Sequence, residues 1–101
     1  MIELFDQYCP KACENFRKLC CGFERSDKLT MSYNNSEVSR MVPGLFVQMG
    51  DISKLYGKAK EELGFSFWGK EFEDESFEIK HEEPGLLGMC HRGGVPHSNE
   101  C

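Results

Sequence analysis

A chain of 101 residues is a single domain at most, and 40% hydrophobic with 12% aromatic residues can build a core, unlike a disordered segment. Its net charge of −5 offers no basic stripe to meet phosphates, which argues against nucleic acid as a partner. No stretch approaches the ~20 consecutive apolar residues of a membrane-spanning helix, and the start lacks a secretory-signal pattern, so the expectation is a soluble cytoplasmic protein with no membrane partner.

Residues 1–5 alternate enough to predict a strand, turned by Asp6-Gln7. A helix is predicted from Pro10 to about Cys21. Proline suits the first helical turn, where its missing N–H has no intrahelical partner anyway. Ala12, Cys13, Phe16, Leu19 and Cys20 form its apolar stripe, and Gly22 is a plausible stop. Residues 23–37 read as polar and irregular, with Asn34-Asn35 favouring a turn.

Residues 38–51 predict a strand interrupted at Pro43-Gly44. A Pro-Gly pair removes a ladder donor and points to a bulge or edge. Because a bulge re-aims side chains, parity leaves open whether Arg40 and Gln48 share a face. Residues 54–63 read as a short charged helix or loop. Trp68-Gly69 closes a turn, and Phe72 and Phe77 bracket an acidic loop. Phe77-Glu78-Ile79-Lys80 alternates like a half-buried strand. Pro84-Gly85 makes the next turn, and Leu86-Leu87-Gly88-Met89-Cys90 is a candidate buried strand.

Six cysteines are many for this length. Cys9, Cys13, Cys20 and Cys21 invite a zinc reading, but neither Cys-x2-Cys nor His-x3–5-His spacing is present near them. Cys13 and Cys20 fall on the helix's apolar face, where thiols pack as small hydrophobes; a metal or a disulfide stays open as the lesser alternative. Cys101 ends the sequence and reads as exposed. His91 and His97 lie in a Gly-Pro loop without a third ligand nearby, so neither metal nor cofactor is expected.

The string from Phe67 to Met89 closely resembles the middle of a cyclophilin, the peptidyl-prolyl isomerase family. Two further blocks follow the family's order. Ile2 to Phe5 with Cys9-Pro10-Lys11-Ala12-Cys13-Glu14-Asn15-Phe16 resembles its second strand and first helix. Arg40-Met41-Val42-Pro43-Gly44-Leu45-Phe46-Val47-Gln48-Met49-Gly50-Asp51 resembles its active-site strand. The resemblance implies a mainly β fold, an antiparallel β-barrel with one N-terminal α-helix, of which residues 1–101 cover a part. Only about five of the family's eight strands are represented, so the barrel is expected to be incomplete, without the C-terminal strands and second helix.

The implied reaction is rotation about an X-Pro bond, which needs neither nucleophile nor metal. The amide-resonance barrier is ~18–20 kcal/mol, and a fixed, permanently charged donor lowers it by hydrogen-bonding the twisting imide. The resemblance assigns that task to Arg40, peptide-backbone binding to Gln48, and the proline pocket to Leu45 and Phe46. The residue-level alternatives are an edge arginine and a glutamine facing solvent, and core packing for Leu45 and Phe46.

Four departures bear on activity. The family has an aromatic ring where Leu45 stands, and an aromatic-histidine pair where Val38-Ser39 stands. Cys90 and His91 occupy the positions of its Ala-Asn pair, which binds substrate backbone. The later pocket residues have no counterpart. The sequence therefore favours an interaction module with weak or no catalysis, binding a proline-containing peptide or protein within a larger assembly; the alternative is an active isomerase. The Cys9-to-Phe16 helix start and Leu87-Gly88-Met89 also resemble a cyclophilin-like group associated with cilia and radial spokes, which implies a ciliary or axonemal setting.

Overall fold

The computed structural model describes residues 1–56, 66–69 and 72–90. Helix α1, Pro10–Cys21, leads into two antiparallel hairpins: β1 (Phe23–Glu24) pairs with β2 (Thr30–Met31), and β3 (Val38–Val42) pairs with β4 (Phe46–Met49). One helical turn, α2 (Ser53–Tyr56), follows. Antiparallel strands behind an N-terminal helix, with no closed barrel among the described residues, match the partial β architecture expected from the sequence.

Helix α1 has the bounds that the sequence predicts. Gly22 ends it with φ +84°, donating its N–H to the Lys18 carbonyl at 2.8 Å. The buried stripe is rotated from the expected one. Cys13 and Leu19 are buried, but Cys20 is exposed and Asn15 is fully buried instead. The turn at residues 66–69 explains this, because the Phe67 N–H donates to Asn15 Oδ1 at 2.7 Å and so satisfies a polar group inside the stripe. Asn15 Nδ2 has no partner among the described residues. On the outer face, Arg17 reaches Asp6 at 2.8 Å and Glu14 at 2.5 Å. These hydrogen bonds, Asp6 first, push its pKa upward. Being exposed, the ion pairs contribute little to stability.

The start of α1 is capped from far along the chain. Cys9 at the N-cap makes no side-chain cap. Instead the Glu75 carboxylate accepts the N–H groups of Lys11 at 2.9 Å and Ala12 at 2.7 Å. Two donors that a helix leaves unpaired thus meet an anion at the positive end of its dipole. The Trp68 indole N–H donates to the Lys11 carbonyl at 2.9 Å, fixing the 66–69 turn to the same helical turn.

Leu19, Met31 and Ile52 are fully buried and form the core, with Phe23, Leu29, Tyr33 and Tyr56 packed around them. Residues 23–37, expected to be irregular, hold the β1–β2 hairpin in register Phe23↔Met31. Its strands are two residues each, too short for a period to show. The expected turn at Asn34-Asn35 is present, with Asn35 at φ +67°.

Three expected strands are not strands. Residues 1–5 and 77–80 and the run 86–90 are irregular, and Ile2, Phe77 and Leu87 are 57%, 75% and 58% exposed. Alternation marks which side of a strand is apolar, but a strand also needs a neighbour to take its N–H and C=O groups. None of the described residues supplies one here. The Trp68-Gly69 turn is present, closed by paired backbone hydrogen bonds between Ser66 and Gly69 at 3.1 and 3.2 Å, as is the Pro84-Gly85 turn. Of residues 54–63, the first three complete α2 and the rest lie outside the described residues.

Candidate functional site

Residues 38–49 form a hairpin rather than one interrupted strand, and Pro43-Gly44 is its turn. The Leu45 N–H donates to the Val42 carbonyl at 3.0 Å, and Gly44 has φ +77°. Proline followed by a glycine at positive φ is the pairing a type II turn requires. A bulge does exist, but at Ser39. Val38 pairs with Met49 and Arg40 with Gln48, so Ser39 is the extra residue. Its hydroxyl donates to the Gln48 carbonyl at 3.2 Å and pins the bulge.

This register answers the question that parity leaves open. Arg40 is directly opposite Gln48, and Val42 is opposite Phe46, so all four side chains share one face of the ribbon. Met41 and Val47 pair on the other. The Arg40 guanidinium lies over the Phe46 ring, 5.3 Å from its centroid, a cation–π geometry that steers a long side chain without using its N–H donors. The Arg40 guanidinium makes no side-chain hydrogen bond or ion pair with the described residues, and Arg40 is exposed, so its donors are open to solvent. Gln48 is half-buried, whereas Arg40 and Phe46 are exposed.

The structure thus brings together Arg40, Phe46 and Gln48. Leu45 is set apart in the turn, 73% exposed. Cys90 is exposed at the end of an irregular run, with no hydrogen bond to the hairpin among the described residues. His91 lies outside the described residues. A cleft of about 560 Å³ opens elsewhere, lined by Phe5, Tyr8, Ile79, Lys80 and Leu86 with two glutamates. A smaller one, of about 140 Å³, lies between Glu37, Ser39, Asp51 and Leu55. Ser39 was missed as a contributor; the signal was its place just before Arg40, but a bulge has no sequence signature until both strands and their register are known.

Gly50 completes the scaffold. It has φ +93°, and a side chain there would meet the Tyr33 ring at 3.2 Å. The hairpin's last residue is therefore followed by a left-handed step packed against a core tyrosine, which anchors β4 to the body of the protein.

Comparison with known proteins matches the whole chain, residues 1–101, to the family described as cyclophilin type peptidyl-prolyl cis-trans isomerase/CLD. Peptidyl-prolyl cis-trans isomerase 9 of Caenorhabditis briggsae is 41% identical over 101 residues, covering 97% of this chain and 30% of that protein. A human relative called probable inactive peptidyl-prolyl cis-trans isomerase-like 6 is 40% identical over 102 residues, covering 98% and 30%. The E3 SUMO-protein ligase RanBP2 of Pan troglodytes is 40% identical over 92 residues, covering 91% of this chain and 3% of that much longer protein. The chain spans about 30% of the length of the first of these relatives. With the match running along its full length, the chain belongs to the cyclophilin-type peptidyl-prolyl cis-trans isomerase family.

Proposed function

We propose that this chain is a proline-peptide-binding module whose isomerase activity is weak or lost, acting as an interaction part of a larger assembly. The observation that carries the reading is the Arg40–Phe46–Gln48 face. It keeps an outward-facing guanidinium, an apolar ring and an amide together, but leaves them on an open ribbon. Such a face can grip an extended peptide: Gln48 offers a donor and an acceptor to its backbone, Phe46 offers a ring to proline, and Arg40 donates to the imide carbonyl. Its catalytic contribution is small for a physical reason. A donor in water acts through a high dielectric, where the same charge interaction is several-fold weaker than in a desolvated groove. Each 1.36 kcal/mol lost from barrier lowering is a tenfold loss in rate. The label "probable inactive" on the human relative is in keeping with this.

The second reading, an active isomerase, is favoured by the retained Arg40–Gln48 pairing. Exchange NMR on an Ala-Pro peptide separates the two. Binding with cis–trans exchange no faster than in buffer is expected; acceleration that Arg40→Ala abolishes would establish the isomerase, and absence of binding would refute the module. The cytoplasmic setting, ciliary or axonemal, is proposed on the Cys9-to-Phe16 helix start and Leu87-Gly88-Met89.

A further inference from the structure

Cys9 and Cys13 meet at the first turn of α1 with their sulfurs 3.8 Å apart. Cys9 is the N-cap, with φ −144° and ψ 69°, so its backbone lies outside the helical conformation that holds Cys13. Cys9 is partly exposed, whereas Cys13 is 5% exposed. A small oxidant in solvent therefore reaches Cys9 first, while Cys13 waits in contact behind it. Other described thiols lack this arrangement. Cys20 and Cys21 are exposed sequence neighbours, and Cys90 is exposed with no thiol contact among the described residues.

We infer that Cys9 and Cys13 form a peroxide-sensitive dithiol site, Cys9 being the thiol oxidised and Cys13 the one that resolves it into a disulfide. In the first step the Cys9 sulfur attacks a hydroperoxide, the O–O bond breaks, and a sulfenic acid and one water (or alcohol) result. In the second the Cys13 sulfur attacks the Cys9 sulfur, the S–O bond breaks, and the leaving hydroxide takes the Cys13 proton as water. The sulfurs are oxidised by two electrons and the peroxide is reduced by two. A dithiol reductant reverses the change.

The fold permits the closure. The sulfurs must approach from 3.8 Å to a bond of about 2.05 Å, and the residue free to move is Cys9, at the non-helical end. Its thiol gives up only a 3.5 Å contact to the Phe5 carbonyl. Its side chain is not needed as a cap, because Glu75 holds the Lys11 and Ala12 N–H groups.

The test treats the reduced chain with hydrogen peroxide, blocks remaining thiols with iodoacetamide, and maps tryptic peptides by mass. Cleavage after Lys11 separates the two cysteines. The expected product joins peptides 1–11 and 12–17 with the loss of two hydrogens, in protein that stays monomeric on a non-reducing gel and releases both peptides on reduction. The Cys20→Ser/Cys21→Ser double variant should form the same link, and Cys9→Ser should leave Cys13 to be alkylated. Recovery of Cys9 as a sulfinic acid beside an alkylated Cys13, or a link from Cys9 to another cysteine, would overturn the assignment. Failure of the double variant to form the link would do so as well.

Discussion

Arg40 faces Gln48 across the β3–β4 hairpin in the register that the Pro43-Gly44 turn sets, and one extra residue, Ser39, is bulged out beside them. The Ser39 hydroxyl holds that bulge by donating to the Gln48 carbonyl at 3.2 Å. Unbroken pairing from Val42↔Phe46 through Met41↔Val47 sets the relation between the two candidate side chains, and the bulge bounds it on the outer side. Ser39→Ala should cost less than about 1 kcal/mol, since the bond is exposed, yet it should loosen the Arg40–Phe46 contact. Ring-current shifts of the Arg40 side-chain protons report that contact by NMR. Shifts that stay unchanged in the variant would show that Ser39 does not position Arg40.

Phe46 and Leu45 separate cleanly. Phe46 lies beneath the guanidinium, while Leu45 stands in the turn, 73% exposed. Phe46→Ala removes the ring that Arg40 lies over and that the proposed face would offer to proline, so a fall of roughly tenfold in affinity for an Ala-Pro peptide is expected, as aromatic and cation–π contacts of about 0.5–1.5 kcal/mol imply. Leu45→Phe places its ring at an exposed turn and should change affinity by less than about threefold, since such a ring desolvates little on this open face. Fluorescence titration of both variants checks the order. A larger effect at Leu45 would relocate the proline site to the turn.

Glu75 offers a direct measure of how a residue far along the chain holds the first helix. Its carboxylate takes two N–H groups at 2.9 and 2.7 Å. Glu75→Gln keeps one acceptor oxygen but loses the charge at the helix's positive end, so about 1 kcal/mol of destabilisation is expected, and about 2 kcal/mol for Glu75→Ala. Urea unfolding followed by circular dichroism measures both. The environment of Trp68 should change with them, because its indole binds the Lys11 carbonyl between the two capped positions. Equal stability of all three proteins would mean the helix does not need this cap.

The helix and the turns were legible in the sequence because their causes are local. Proline at the helix's first turn, glycine at its end and Pro-Gly at 84–85 each act within a few residues, whereas Pro43-Gly44 read as a bulge or edge and is a hairpin turn. What was not legible depends on partners. Parity could not locate the bulge at Ser39, the alternation at 77–80 could not supply a neighbouring strand, and nothing near Cys9 announced that Glu75 would cap its helix. The buried Asn15 shows the same thing, since a polar residue enters the stripe only because the Phe67 N–H reaches it. Of the site, Arg40, Phe46 and Gln48 came together, while the turn sets Leu45 apart.

The Cys13 thiol makes stability depend on alkaline pH. Burial, then the hydrogen bond to Cys9 and the nearby charges of Cys9 and Asp6, push it from 9.0 up to about 11, with Arg17 pulling the other way. The folded chain therefore holds the Cys13 proton more tightly than the unfolded chain does. That preference stabilises the fold in full below pH 9 and is lost as pH rises toward 11. Comparing wild type with Cys13→Ala isolates this group from the tyrosines and lysines that titrate in the same range. Urea midpoints measured between pH 8 and 11 should fall more steeply for wild type than for the variant. Parallel curves would place the Cys13 thiol in a solvated environment, at odds with its burial.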